Sequence, residues 1–139
     1  MKMITAVMCN AVVSIILSVT LNARAEESKQ IPIESLVGKY EGIFQSHGMR
    51  TFELSYQVDI LSVDKSANTV SLIAYCRDCE TVKEWKKNNC KITDAKESIK
   101  FICKGKASDE EYTFNDGKLK VTGFGKKYPY SINATKVVK

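Results

Sequence analysis

This sequence predicts an all-β protein, an up-and-down barrel of eight antiparallel strands with one short helix, and three observations point to it. First, Phe52, Leu54, Tyr56, Val58 and Ile60 alternate without exception with Glu53, Ser55, Gln57 and Asp59, as in a strand with one buried and one wet face. A helix would scatter those apolar residues around its circumference. Second, Asp116-Gly117 lies between two apolar runs at the spacing of a two-residue hairpin turn. Third, strand-like segments recur about every ten residues with short connections. That favours a meander, and a sheet of such length avoids edge-to-edge pairing by closing on itself. A β-sandwich is the alternative.

The chain has 139 residues with 21 Lys plus Arg against 16 Asp plus Glu, enough for one modest core, and no glycine-rich phosphate loop or dinucleotide fingerprint. Residues 1–25 read as a signal peptide. Lys2 gives the positive start, Val7 to Leu21 is nearly all apolar, and Ala23-Arg24-Ala25 is a small-x-small cleavage pattern. The apolar run is about 15 residues, short of the roughly 20 that cross a bilayer as a helix. Cleavage leaves no transmembrane segment, 19 Lys plus Arg against the same 16 acids, and a secreted or periplasmic protein. Residues 26–36 form an N-terminal lead-in, with Ile31, Ile33 and Leu36 as its apolar positions, and residues 37–139 form the single barrel domain.

The expected strands are 38–46, 50–62, 69–76, 90–94, 98–104, 110–114, 118–123 and 128–138. The alternation slips by one at Leu61 and Val63, which predicts a bulge. Asp116-Gly117 as a turn sets Phe114 opposite Leu119 and Tyr112 opposite Val121. A loop at Ala95 to Ser98 sets Ile92 opposite Phe101 and Cys90 opposite Cys103. The helix is expected at 81–89, because Thr81-Val82-Lys83-Glu84 has the capping-box pattern and Val82 and Trp85 would share a face.

Export leaves Cys76, Cys79, Cys90 and Cys103, an even number in an oxidising compartment, so two disulfides are expected. The preferred pairing joins Cys79 to Cys90 and Cys76 to Cys103, clipping the helical insert to the sheet; direct pairing of Cys90 with Cys103 is the rival. Two other uses stay open, a redox-active Cys76-Arg77-Asp78-Cys79 pair and a four-cysteine zinc site, although the spacing of the second pair does not suit zinc.

An apolar lead-in followed by Leu36-Val37-Gly38-Lys39-Tyr40-Glu41-Gly42 is similar to the opening of lipocalin-like (calycin) barrels, which begin with a short helical turn and a Gly-x-Trp motif. Tyr40 stands in the place of the Trp. The resemblance implies that a late basic residue stacks on that aromatic, with Lys136 on the last strand as the stand-in. It also implies a cup for a small apolar ligand, or loops offered to another protein.

The chemistry-bearing residues point to binding. His47 falls at a hairpin tip without a nameable partner, no serine sits in a nucleophile elbow, and Glu41, Glu53 and Asp59 are outward strand residues. Tyr40, Phe44, Phe52, Tyr56, Tyr112, Phe114 and Tyr130 fall on the inward phase. The tyrosines among them, Tyr40, Tyr56, Tyr112 and Tyr130, are the cavity candidates, because buried hydroxyls seek partners. After Gly117 the chain carries Lys118, Lys120, Lys126, Lys127, Lys136 and Lys139 with no acid, and the first four are the candidate anion-binding patch.

The function expected is therefore that of an exported monomeric binding protein, without catalysis, cofactor, metal or nucleic acid. It would hold a small apolar ligand or present its lysines to an anionic surface or protein. The alternatives are a periplasmic inhibitor of a hydrolase, a class similar in size and export, and a thiol-disulfide oxidoreductase acting through Cys76 and Cys79.

Overall fold

The computed structural model describes residues 30–139 apart from 82, 107 and 125–128. The expected signal peptide, the first residues of the lead-in, Lys126 and Lys127 lie outside the described residues. Eight antiparallel strands close into a barrel in chain order: β1 (Gly38–Ser46), β2 (Glu53–Asp64), β3 (Thr69–Cys76), β4 (Lys83–Ala95), β5 (Ile99–Cys103), β6 (Glu110–Asn115), β7 (Lys118–Gly123) and β8 (Tyr130–Lys136). The up-and-down connectivity puts the β1–β2, β3–β4, β5–β6 and β7–β8 connections at one end, which is open. The other end is plugged by a 3-10 turn at Ile33–Leu36.

Period-two patterning is what makes these segments strands, and β3 shows it over its full length: Val70, Leu72, Ala74 and Cys76 are buried between half-buried neighbours. The hairpin registers follow the sequence. Phe114 pairs with Leu119, Tyr112 with Val121, and Ile92 with Phe101. Asp116 and Gly117 both take positive φ, 47° and 72°, as a two-residue turn matched to strand twist requires. The slip after Ile60 is a register shift between Ile60 and Ser62 against β3.

The helix expected at 81–89 is absent, and β4 runs from Lys83 instead. Glu84 pairs with Tyr75, Trp85 with Ala74 and Lys86 with Ile73, so the free edge of β3 recruits the segment and ladder pairing overrides a local capping signal. Without a helical insert there is nothing to clip. The disulfides are Cys76–Cys79, closing the turn after β3, and Cys90–Cys103, joining facing positions on β4 and β5. This corrects the preferred pairing in favour of its rival and engages all four sulfurs that a zinc site would need.

Inside, Tyr40, Val58, Val70, Leu72, Ile99, Phe101 and Val121 have no exposed surface, so the lower barrel is a packed core. At the plugged end the Tyr40 hydroxyl donates to the Leu36 carbonyl at 2.6 Å, and the Lys136 ammonium lies 5.9 Å from the centre of the Tyr40 ring while donating to the Ser35 carbonyl. The barrel closes where β1 meets β8. There a Cβ on Gly42 would stand 2.0 Å from the Asn133 carbonyl oxygen and 2.5 Å from Ala134 Cα, both backbone atoms with little room to yield. We expect Gly42→Ala to cost about 2 kcal/mol in urea unfolding, the overpacking strain exceeding the entropy gained in the unfolded chain. A loss under about 0.5 kcal/mol would show that the seam opens freely.

Candidate functional site

The open end is built from aromatic side chains on strands that converge there. Phe44, near the end of β1, stacks on Tyr130 at 4.9 Å between ring centres and touches Tyr56 and Phe52, each at 5.9 Å. Tyr56 in turn stacks on Trp85 at 6.0 Å. Trp85 reaches this place because β4 is a strand: opposite the inward Ala74, it points into the mouth and not along a helix face. Gly123 lies opposite Tyr130 on β7, and its missing side chain leaves the space that the Tyr130 ring fills. Together Phe44, Phe52, Leu54, Tyr56, Trp85 and Tyr130 wall a cleft of about 310 Å³.

At the base of the cleft sits one ion pair. The Lys87 ammonium donates to Glu110 Oε2, and both side chains are mostly buried, 17% and 13% exposed. Tyr112 also donates to Oε2, at 2.7 Å, and the Tyr130 hydroxyl donates to Oε1. One carboxylate thus holds three donors. Burial first, and the Glu110 charge second, push the phenols of Tyr56, Tyr112 and Tyr130 above their ordinary value, so they act as neutral hydroxyls. Tyr112 is buried in the core, stacked on Phe101 at 4.6 Å.

The Cys76–Cys79 disulfide lies on the rim of the same cleft, with Cys76 buried. Its turn is tied to β2: the Arg77 amide donates to the Ser55 carbonyl at 3.0 Å and the Ser55 amide donates to Asp78 Oδ2 at 2.7 Å. Ser55, through its side chain first and its amide second, holds the Asp78 carboxyl below its ordinary value. The Arg77 guanidinium reaches Glu41 at 2.8 Å and the Gln57 side chain, so it faces the outer wall.

The structure therefore sorts the four candidate tyrosines. Tyr56 and Tyr130 line the cleft, Tyr112 lies in the core behind Glu110, and Tyr40 belongs to the plugged end. Phe52, expected inward, precedes β2 and is 49% exposed at the rim. Lys118 and Lys120 are exposed on the outer face of β7, between Asn115 and Thr113 on β6 and Thr135 and Asn133 on β8. They are remote from the cleft, on a shallow polar groove. His47 Nε2 lies 2.8 Å from Ser131 Oγ on the surface.

Sequence reasoning passed over Glu110 and Lys87, but a signal was present. The inward phase of Phe114 and Tyr112 extends back to Glu110, and that of Trp85 extends on to Lys87. Among the described residues no helix is long and apolar enough to cross a membrane. No family model, no curated protein and no solved structure matches this chain.

Proposed function

We propose that this is an exported, lipocalin-like binding protein whose open end holds a small, largely apolar ligand carrying one polar end group. The observation that carries the reading is the aromatic cleft with a satisfied ion pair at its base. Apolar walls with a few fixed polar groups are the usual make-up of a small-molecule site, and about 310 Å³ places the ligand at the small end of that range. The apolar body would lie between the rings of Phe44, Tyr56, Trp85 and Tyr130, and its polar end would meet Lys87 and Glu110. Two disulfides together with the leader-like first 25 residues support export. The lipocalin-like assignment is supported by the 3-10 turn plugging the far end and by Lys136 placed over Tyr40. Burial of Cys76 favours binding over thiol exchange, which needs an accessible attacking sulfur.

The test uses the only tryptophan, Trp85, which stands in the cleft wall. Titration with anilinonaphthalene sulfonate, an aromatic body with one anionic group, should saturate at one equivalent and change Trp85 emission. Leu54→Glu should weaken that binding about tenfold or more by putting a charge into the apolar wall, and Lys118→Glu should leave it unchanged. Native mass spectrometry of protein taken from its own host should then show a carried small molecule. Probe binding that ignores Leu54→Glu would refute the cleft as the site.

A further inference from the structure

We infer, on the reading of the cleft as the ligand site, that its base selects an uncharged hydrogen-bond acceptor, a ketone or amide carbonyl, over a carboxylate or an amine on the same apolar body. Lys87 and Glu110 are the charged side chains that line the cleft. Glu110 already takes three donors, Lys87 and Tyr112 on Oε2 and Tyr130 on Oε1. A carboxylate has about four acceptor sites, so this one has room for one more at most. Lys87 has three N–H groups, and among the described residues Glu110 is the acceptor it meets. The Tyr56 hydroxyl meets no acceptor among the described residues, and it stands near enough to Glu110 for that charge to raise its pKa. The base of the cleft therefore offers a ligand more donors than acceptors.

Charge decides between a neutral acceptor and an ionised one. Lys87 and Glu110 carry opposite charges in hydrogen-bond contact and are both mostly buried, so the base as a whole is neutral. A ligand carboxylate seated on Lys87 would also stand close to Glu110, whose charge Lys87 already balances. Attraction to one and repulsion from the other largely cancel, and the cost of taking the carboxylate out of water remains. An ammonium meets the mirror problem, repulsion from Lys87 and a carboxylate whose acceptor sites are nearly full. A carbonyl brings no charge to desolvate and accepts from Lys87 and Tyr56, the two groups with donors to give. The walls suit a flat body behind it: the rings of Tyr56 and Trp85 lie 19° from parallel, and those of Phe44 and Tyr130 lie 30° from parallel.

The experiment is equilibrium dialysis of the host-processed protein, at neutral pH, against ligands that share one naphthyl body: acetonaphthone, naphthoate, naphthylmethylammonium and plain naphthalene. Acetonaphthone should bind at least about tenfold tighter than either ion and about threefold or more tighter than naphthalene. Tyr56→Phe should weaken acetonaphthone about threefold or more and leave naphthalene unchanged. Glu110→Gln, its fold checked by near-ultraviolet circular dichroism, leaves Lys87 without a counter-charge and should invert the order, so that naphthoate binds tightest. The wild-type series and Tyr56→Phe decide the matter even if that variant does not fold. Naphthoate binding as tightly as acetonaphthone, acetonaphthone no tighter than naphthalene, or a folded Glu110→Gln variant that keeps the wild-type order would overturn the inference. With Leu54→Glu still weakening every ligand, each of these results would leave the cleft standing as the site. Binding of none of the ligands, or binding that ignores Leu54→Glu, would instead remove the cleft itself and the inference with it.

Discussion

Glu110→Ala is expected to destabilise the protein by about 3–5 kcal/mol, because removing one partner of a buried pair strands the other charge. Lys87 is only 17% exposed, and in the variant its ammonium would have no carboxylate, while the hydroxyls of Tyr112 and Tyr130 would lose their acceptor together. Glu110→Gln keeps an acceptor oxygen for part of that network, so its loss should be smaller. The decisive comparison is the double variant Lys87→Met with Glu110→Leu. It removes both charges, and its cost should fall well below that of Glu110→Ala, since an apolar pair of similar volume does not have to be desolvated. Urea unfolding of the three variants reads this directly. A Glu110→Ala loss under about 1 kcal/mol would mean that water reaches the pair freely and that it is a surface bridge. Anilinonaphthalene sulfonate binding should change in all three, because the base of the cleft changes in each.

Why this pair escaped a reading of the sequence while the barrel did not is a matter of range. Strand alternation and turn chemistry act between neighbours, so the register of β6 on β7, the slip after Ile60 and the pairing of Ile92 with Phe101 were legible residue by residue. The meeting of Lys87 with Glu110 depends instead on a fork between β4 and β5. The two strands pair only from Lys91 onward, the positive φ of Asn89, at 60°, marks a bulge just before it, and β5 ends at Cys103. Past the fork Lys87 reaches across to β6, whose Glu110 pairs with Cys103. Locally, 81–89 has a capping pattern and no alternation of apolar with polar residues beyond the phase that Trp85 shares with Lys87, and the waiting edge of β3 makes it a strand. That misreading hid Trp85 and Lys87 from the site. Tyr40 was placed among the cavity tyrosines for a related reason: alternation tells inward from outward but not which end of a barrel a side chain serves.

The same fork makes the two disulfides unequal. Cys90–Cys103 closes a sequence separation of 13 and Cys76–Cys79 one of 3, so loop-closure entropy assigns the first about 3 kcal/mol and the second about 2. Position widens that gap. Cys90 and Cys103 are both buried in the core and sit one step past the last paired residues of β4 and β5, Lys91 and Ile102, so the bridge holds the two sides of the fork that Lys87 and Glu110 span. Replacing Cys90 and Cys103 together by Ser also puts two hydroxyls into that core. The expected loss is therefore at the upper end of the usual range, about 4–5 kcal/mol, with weakened probe binding as Lys87 drifts from Glu110. Replacing Cys76 and Cys79 frees a turn still tied to β2 through Ser55, so the melting temperature should fall less while the rim of the cleft loosens. Thermal unfolding of the two double variants checks the order. If the Cys76–Cys79 variant melted lower, the seam between β4 and β5 would be held by strand pairing alone, and the disulfide at its fork would be dispensable.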